Sequence, residues 1–550
     1  MRIFQLFAKI ITPIILILLT QTQCMENPNR PLCELFQGLH EDLEGIKLNM
    51  EVMHHIIHDE HVTTTSNKHK EEATHVTINP GISAGEKEFL QKRLPIVKAA
   101  LERKFNCQLT DNQIPSIALI SSGGGYRAML YLAGILNRLS KGGLLDTLTY
   151  ITALSGSTWT LVPWIMSGKS PEDFKTYIQE CASKPIAKVE HKEKILMAKT
   201  IAVKSISGQA RTLVDIYGDL LGNRLLKCLG DARHSLCLSD LAPRVESGKY
   251  PYPICIAIDG RDREAAIESP TIFEYTVHTV AEHTNHTSIP SWGNGRKYKY
   301  GNSTNNTPEK SLSYNLGTWG SAFGADIKKI LKEIFHNHPE ILEFLEEICK
   351  PITGIRPFPC YAKLPNYKYQ MDIPTITDKT LLEDKNMIRV DAGLANNLPF
   401  APVSGICAER SPDILIFNDV SAGKIGKVFK KVINYALKHN IPVPDDIDVT
   451  TIGKETISIF KKNDKVFIYM PRISDQALWE QCKDKPEFKH YNLSGFDLDY
   501  ETNHGFAASK NFQYTIPHST LLMNQAEFNL HTSEDKIWQA IEWKINQKSS

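Results

Sequence analysis

The sequence has almost no net charge, because 63 basic side chains are balanced by 62 acidic ones and the formal net charge is +1. A nucleic-acid-binding domain normally carries a basic excess, so this class of function is not indicated. The eleven cysteines include no Cys-x-x-Cys pair, which excludes the common zinc-site spacings. No segment has the Gly-x-x-x-x-Gly-Lys-Ser/Thr spacing of a nucleotide-binding P-loop. The sequence also shows no internal repeat.

The N-terminal apolar run is too short to span a bilayer comfortably, which takes about 20 residues. It covers Ile10 to Leu19, follows Arg2 and Lys9, and is succeeded by polar residues 21–23. This order is typical of a secretory signal. We therefore expect residues 1–23 to be a signal peptide and the protein to be exported, as a secreted, periplasmic or membrane-associated protein. An uncleaved anchor and a buried helix are the alternatives.

Residues 24–78 are predicted to form an N-terminal helical segment followed by a linker. Apolar residues recur at alternating spacings of three and four from Phe36 to Ile57, which places them on one seam along a helix. Such a seam either docks onto its own domain or mediates self-association as a short coiled coil. Residues 59–75 have almost no large apolar side chain, as is typical of a linker.

From residue 79 onward, short apolar runs alternate with segments of helical periodicity. Strands are predicted at 114–120, 148–154, 387–390 and 414–417. The first two lead through turns, at 121–125 and 155–157, into helices predicted at 126–139 and 158–166. This alternation predicts an α/β fold whose functional side chains lie at the ends of strands.

Ser83 matches the Gly-x-Ser-x-Gly nucleophile pattern literally, within Gly81-Ile82-Ser83-Ala84-Gly85. However, Asn79-Pro80 precedes this segment in place of a strand, and Ser83 with Glu86 forms a helix capping box. We therefore interpret Ser83 as the cap of an amphipathic helix over 86–105. Pro95 predicts a kink or a break in that helix.

Four other features could carry chemistry. Ser155 lies in a tight turn between a predicted strand and helix, where a serine can serve as a nucleophile. The loop Gly123-Gly124-Gly125 can direct main-chain N–H groups toward an anion, as an oxyanion hole or a phosphate site, although a plain turn is also consistent. Arg127 offers a planar fork for a phosphate, or is a surface arginine. Asp391 ends a strand and is followed by small residues that permit close approach to another loop, yet Asp-Ala-Gly is also a common turn.

Taken together, four segments resemble the catalytic domain shared by cytosolic phospholipase A2 and the fungal lysophospholipases, or phospholipase B enzymes. They occur in the order of that family: Ser122–Met129, Leu154–Trp159, Trp319–Phe323 and Asp391–Pro399. The resemblance covers about residue 80 to the C-terminus. It implies a patatin-like three-layer α/β sandwich with a central, mostly parallel sheet. In this interpretation residues 79–550 are a phospholipase catalytic domain, with a cap insertion at about 170–380.

The resemblance also implies a function. The protein would be a serine hydrolase that cleaves fatty-acyl esters of glycerophospholipids, lysophospholipids or both at a membrane or micelle surface, with no metal or other cofactor. Matched residue by residue, Ser155 is the nucleophile, Asp391 the base, Gly124 and Gly125 the oxyanion donors, and Arg127 a ligand of the substrate phosphate. Beyond a gap in the alignment, Arg410 is a candidate for a second head-group arginine.

The sequence departs from the family pattern at two places. Ala153 stands where many members have glycine, and the helical seam at 36–57 takes the place of a calcium-dependent membrane-targeting module. Two alternatives remain open. One is a conventional Ser-His-Asp hydrolase using one of the 19 histidines, among them His504 and His518. The other is a catalytically silent lipid-binding or host-interaction protein.

Overall fold

The computed structural model describes residues 68–78, 81–186, 188–190, 193, 196–197, 200, 210, 212–261, 270–283, 286–321, 361–374, 376, 379–444, 447–448, 452–462 and 464–549. All but a few positions between 189 and 210 belong to one unit made of residues 65–188, 212–330 and 360–550. The predicted signal peptide at 1–23 and the apolar seam at 36–57 lie outside the described residues.

Among the described residues of this unit, twelve of fourteen strands form one central mixed sheet, and the other two form a separate ribbon. The strands, in chain order, are β1 Thr77–Ile78, β2 Ile117–Ser121, β3 Tyr150–Ala153, β4 Tyr252–Asp259, β5 Ile272–Tyr275, β6 Thr279–Glu282, β7 Thr287–Pro290, β8 Tyr298–Lys299, β9 Asn302–Ser303, β10 Ala362–Pro365, β11 Asn386–Asp391, β12 Ile414–Asp419, β13 Ser458–Lys462 and β14 Lys465–Pro471. The main path runs β1-β7-β6-β5-β4-β3-β2-β12-β14-β13, β11 pairs with both β4 and β10, and β8 and β9 form a separate ribbon.

The five strands β4, β3, β2, β12 and β14 are parallel, and antiparallel strands extend the sheet on both sides. Every residue of β2, β3 and β12 is buried. Continuous burial is expected where helices cover both faces of parallel strands, and it explains why these strands are mostly apolar in the sequence. The predicted α/β class with a central, mostly parallel sheet is confirmed.

Helices surround this sheet. In chain order they are α1 Ala84–Phe105, α2 Tyr126–Lys141, α3 Thr158–Ser167, α4 Pro171–Ser183, α5 Leu213–Leu225, α6 Ala242–Val245, α7 Leu312–Trp319, α8 Thr380–Glu383, α9 Lys427–Lys438, α10 Gln476–Cys482, α11 Leu498–Asn503 and α12 Ile516–Ser549. The long helix α12 packs closely on α2. A methyl group added at Gly134 of α2 would lie only 2.7 Å from the carbonyl oxygen of Met523 in α12, so the contact requires glycine. Among the described helices, none combines the length and hydropathy needed to cross a bilayer.

The start of α1 confirms the interpretation of Ser83. Its hydroxyl accepts a hydrogen bond from the main-chain N–H of Glu86 at 3.1 Å, so Ser83 is the N-cap of α1. The helix continues through Pro95 without interruption, so the break predicted there does not occur.

Five strands of the sheet come from a stretch that the sequence analysis treats as a cap. Residues 170–380 contribute β4, β5, β6, β7 and β10 to the central sheet. The interpretation of residues 170–380 as an insertion outside the sheet therefore does not hold for these five strands. They form part of the layer that carries the candidate site.

Candidate active site

Ser155 occupies a strained turn at the end of β3. Leu154 is still extended, whereas Ser155 has a φ of +50°, in the left-handed region that residues other than glycine rarely adopt. A single 3-10 turn, Ser155–Ser157, then leads directly into α3. Strain of this kind persists only where the surroundings enforce it, and it is typical of a nucleophile at a strand-to-helix turn.

The glycine loop lies directly against this turn. A methyl group at Gly156 would be 1.9 Å from the carbonyl oxygen of Gly125, and one at Gly123 would be 2.7 Å from Cβ of Ser155. Gly125 itself has a φ of +62°, which favours glycine. Within the described part of the chain, the N–H groups of Gly124 and Gly125 donate no main-chain hydrogen bond. Both donors thus remain available beside Ser155.

Asp391 reaches the same region through the pairing of β4. Ala153, the last residue of β3, is opposite Cys255, and β4 continues for four more residues beyond that level. Along this extension, one edge of β4 pairs with β5. The other edge, which pairs with β3 up to Cys255, pairs from Ala257 onward with the antiparallel strand β11. Asp391 is opposite Ala257, two residues beyond Cys255, just as Ser155 is two residues beyond Ala153. The register therefore brings Asp391 to the end of the sheet at which β3 gives way to the turn of Ser155.

The carboxylate of Asp391 is completely buried. One of its oxygens accepts a hydrogen bond from the main-chain N–H of Gly393 at 2.8 Å, which fixes the orientation of the group. Tyr217 lies close enough to Asp391 to sense its charge. Burial, the phenol of Tyr126 and the charge of Asp391 together raise the pKa of Tyr217 well above its ordinary value.

Arg127 is fully buried at the start of α2. Its Nε donates to the carbonyl oxygen of Val420 at 2.9 Å, and its Nη1 donates to the carbonyl oxygen of Ala507 at 2.7 Å and to Ser509 Oγ at 3.1 Å. The other terminal nitrogen, Nη2, has no hydrogen-bond partner among the described residues and lies next to Gly124. Burial lowers the pKa of Arg127 to about 10, so the side chain remains a cation at neutral pH.

One cavity of about 330 Å³ brings these residues together. Its lining includes all five residues predicted for the site, namely Ser155, Asp391, Gly124, Gly125 and Arg127. The lining also includes residues that the sequence analysis did not assign: Trp159, Gly320, Asn397, Ser421 and Ser509. Trp159 and Gly320 lie within two of the family segments, and the indole of Trp159 packs against Gly320.

Asn397 connects the two halves of the site. Its side-chain amide donates to the carbonyl oxygen of Gly123 and to Ser421 Oγ, and Ser421 Oγ in turn donates to Asp419. Asn397 belongs to the same family segment as Asp391, so its position in that motif could have identified it as a candidate site residue. Ser421 and Ser509, by contrast, follow no recognisable pattern in the sequence.

Arg410 does not line this cavity. It is buried elsewhere, where its guanidinium donates to Glu86 at 2.6 and 2.8 Å and to Glu274 at 2.9 and 3.0 Å. All its strong partners are thus carboxylates of the protein itself, and the structure gives it a role in packing rather than in the candidate site.

No described histidine lines the cavity. His504 caps the exposed end of α11, and the ring of His518 stacks on Phe506 with a centroid separation of 4.0 Å. Across the described ranges there is also no group of three or more His, Cys, Asp or Glu side chains arranged to hold a metal ion.

Comparison with known proteins relates this chain to phospholipases. Residues 117–421 match the family model described as the lysophospholipase catalytic domain. The chain is 24% identical over 550 residues to human cytosolic phospholipase A2 epsilon, an alignment that covers 87% of this chain and 61% of that protein. It is 34% identical over 274 residues to mouse cytosolic phospholipase A2 gamma, covering 48% of this chain and 43% of the relative. The chain thus spans about three fifths, or less, of the curated relatives it matches.

A solved structure shows the same fold. The chain superposes on human GIVD cytosolic phospholipase A2 with a TM-score of 0.68 and 17% sequence identity, over 86% of this chain and 66% of that one. At this level of identity the likeness concerns the fold alone.

The prediction of export is wrong by these comparisons. The relatives named above are cytosolic enzymes, and none of the comparisons supports a signal peptide or a secreted protein. The physical reason is that an apolar run of about ten residues has the length of a signal core but equally that of a short buried helix, so the pattern alone does not distinguish them.

The family model covers more than half of the chain, and the α/β fold agrees with it. The chain therefore belongs to the lysophospholipase catalytic-domain family.

Proposed function

We propose that the protein is a serine lipid acyl hydrolase that cleaves fatty-acyl esters of glycerophospholipids, lysophospholipids or both through a Ser155–Asp391 dyad. The observation that carries this proposal is the shared cavity. Ser155 and Asp391 both line it, together with Gly124, Gly125 and Arg127, and no described histidine does. The matching family model describes a lysophospholipase catalytic domain, and this set of groups suits the hydrolysis of an ester.

In the first step, Ser155 Oγ attacks the ester carbonyl carbon while its proton passes to the carboxylate of Asp391. The negative charge that develops on the carbonyl oxygen is stabilised by the N–H groups of Gly124 and Gly125. When the tetrahedral intermediate collapses, the bond to the glycerol oxygen breaks. The leaving oxygen takes the proton from Asp391, and the remaining lipid departs as an alcohol.

In the second step, Asp391 accepts a proton from water, which attacks the acyl-serine. The second tetrahedral intermediate uses the same oxyanion donors, the bond to Ser155 Oγ breaks, and the proton returns from Asp391 to the serine. The fatty acid is released and the free enzyme is regenerated. A fixed, buried carboxylate can perform both transfers, since it needs to move only one proton between Ser155, the leaving group and water.

Arg127 is proposed to bind the substrate phosphate through Nη2. Two observations support this role: the nitrogen lies beside Gly124 at the cavity, and the other guanidinium nitrogens are already held by the protein. An arginine cation with one unsatisfied N–H₂ group is well suited to a phosphate oxygen.

The test is hydrolysis of phosphatidylcholine that carries a different acyl chain at each position, followed by mass spectrometry of the products. Ser155→Ala and Asp391→Asn should each reduce turnover by at least about 1,000-fold while leaving the protein folded, since each removes a group that acts in every step. Mass spectrometry of the wild-type products will identify which ester bond is cut.

Three variants serve as controls. Ser83→Ala removes the serine of the literal Gly-x-Ser-x-Gly match, and His504→Ala and His518→Ala remove the candidate histidine bases; all three should retain activity. Wild-type turnover in Ser155→Ala or Asp391→Asn, or a large loss in a folded histidine variant, would reject the dyad. Lipid binding without any turnover by the wild-type protein would favour the silent alternative.

A further inference from the structure

One segment of the chain concentrates positive charge beside the cavity. Residues 420–444 contain five lysines and neither aspartate nor glutamate, and three aspartates, Asp445, Asp446 and Asp448, follow in the next four positions. The five are Lys424, Lys427, Lys430, Lys431 and Lys438, and we call them the lysine face. Four belong to helix α9, and Lys424 lies in the turn just before it.

The fold keeps the lysine face in solvent. The opposite side of α9 is buried through Phe429, Val432 and Ala436, and the ring of Phe429 stacks on Tyr469 with a centroid separation of 4.4 Å. All five lysines are exposed. In the part of the chain that the structure describes, none of them forms an ion pair with a carboxylate, whereas many other exposed lysines do. Among the described residues, the lysine face is therefore not held by ion pairs to the protein's own carboxylates.

The lysine face reaches the lining of the cavity. Lys427 and Lys431 line that cavity together with Val428 and the exposed Ala422. Lys431 also donates to the carbonyl oxygen of Ala395, four residues after Asp391, at 2.8 Å. On the same helix Leu437 is 60% exposed, an unusual degree for a large apolar side chain in this protein. Cationic groups with an apolar side chain among them suit a surface of phosphate head groups above acyl chains.

We propose that the lysine face is the surface through which the protein docks on a bilayer containing anionic phospholipids. The lysines contact head-group phosphates, and this contact holds the mouth of the cavity against the lipid from which the ester is drawn. The delivery of substrate rests on the proposed function, whereas the docking itself does not. Each lysine near an anionic surface strengthens partitioning by about fivefold, so three of them contribute about 100-fold at low salt.

The experiment measures sedimentation with vesicles in the Ser155→Ala background, so that no lipid is consumed. The variant Lys424→Gln/Lys430→Gln/Lys438→Gln removes three charges that do not line the cavity. The matched control, Lys92→Gln/Lys141→Gln/Lys536→Gln, removes three exposed lysines from other surfaces. Vesicles of phosphatidylcholine with phosphatidylserine are compared with vesicles of phosphatidylcholine alone, at low and high salt.

We expect the lysine-face variant to partition about 100-fold less onto the anionic vesicles than the control variant, and to lose most of the salt dependence. Circular dichroism should show both variants folded. Equal loss in the two variants, no loss in the lysine-face variant, or equal binding of both vesicle types would overturn the proposal.

A parallel assay separates this proposal from the proposed function. With Ser155 intact, turnover of a dispersed, short-chain lysophospholipid should be the same in the wild type and the lysine-face variant, because the three lysines lie outside the cavity. If no variant shows any turnover, the proposed function fails while the sedimentation result still decides the docking surface. A large loss of turnover on the dispersed substrate would assign the lysines to the site instead of to the membrane.

Discussion

The side-chain amide of Asn397 donates a hydrogen bond to the carbonyl oxygen of Gly123 at 2.9 Å. The same amide donates to Ser421 Oγ at 2.8 Å, and the N–H of Gly123 donates back to the carbonyl oxygen of Asn397 at 3.3 Å. Asn397 thereby fastens the glycine loop to the segment that begins with Asp391. This residue therefore links the loop of the proposed oxyanion donors to the segment of the proposed base.

Asn397→Ala should therefore lower kcat by about 10- to 100-fold, with a smaller change in KM, because the oxyanion donors lose their support while the cavity walls remain. Steady-state kinetics on a lysophospholipid provide the measurement. Asn302→Ala is the control, since Asn302 is exposed and its side-chain amide donates to the carbonyl oxygen of Tyr300 in the adjoining turn, away from the cavity. An unchanged kcat in a folded Asn397→Ala protein would show that the loop is positioned without the amide.

Arg127→Lys tests whether Arg127 recognises phosphate in addition to holding three segments of the chain. The variant keeps the charge but loses the planar fork. We expect kcat/KM for lysophosphatidylcholine to fall at least about tenfold more than kcat/KM for a monoacylglycerol that lacks the phosphate.

Arg93→Lys is the matched control for that experiment. Arg93 is also buried, donates to the carbonyl oxygens of Leu148, Leu145 and Gly248, and has a pKa that burial lowers to about 10, but it does not line the cavity. Its substitution should reduce stability and leave the ratio between the two substrates unchanged. Equal losses on both substrates in Arg127→Lys would limit Arg127 to a structural role.

Arg410→Met should destabilise the protein by about 3–5 kcal/mol, because it leaves the buried carboxylates of Glu86 and Glu274 without their cation. Urea unfolding followed by circular dichroism measures the change. Converting both carboxylates to glutamine in the same chain should recover part of the loss. At a temperature where the protein remains folded, KM should be unchanged, and a raised KM would return Arg410 to the substrate site.

Glu309 should make stability depend on pH. Its carboxylate is buried, and burial raises its pKa from 4.5 to about 7. In the unfolded chain the group ionises near pH 4.5, whereas in the folded protein it stays protonated to about pH 7. Its contribution to the free energy of unfolding is therefore complete below pH 4.5 and is lost as the pH rises toward 7. This loss is of the order of 3 kcal/mol.

Glu309→Gln keeps the shape of the side chain and removes the titration. The melting temperature of this variant, relative to the wild type, should therefore rise between pH 4.5 and pH 7. Glu455→Gln, at an exposed carboxylate, should show no such trend. A constant difference between Glu309→Gln and the wild type across this range would mean that the carboxyl group is ionised throughout.

The central strands, and the grouping of the candidate site residues around one cavity, could be predicted from the sequence because both leave local signals. Strands β2, β3 and β12 are mostly apolar, since both faces are covered, and the segments around Gly123, Ser155 and Asp391 carry small residues at strand ends. The cap of α1 was equally visible, because Ser83 and Glu86 are three residues apart.

The remainder could not be predicted, for two physical reasons. Strands of four residues such as β5, β6 and β7 hold too few side chains to show a period, and their stability comes from cross-strand pairing that no local pattern reveals. Arg410 was a candidate ligand of substrate through its alignment with the family, and its actual partners, Glu86 and Glu274, could not be recognised because they are 324 and 136 residues away in the chain. Ser509 could not be predicted for the same reason, since it contacts Arg127 from a position 382 residues away in the chain.

The extension of β4 past the end of β3 has a consequence for the thermodynamics of the site. Asp391 follows Ser155 by 236 positions, and closing a flexible loop of that length costs about 5 kcal/mol of chain entropy. Here that cost is met by ladder hydrogen bonds and buried strand surface, which join the two segments independently of the side chains of Ser155 and Asp391. Conservative changes at these two positions, such as Ser155→Ala and Asp391→Asn, should therefore leave the pairing of the strands intact.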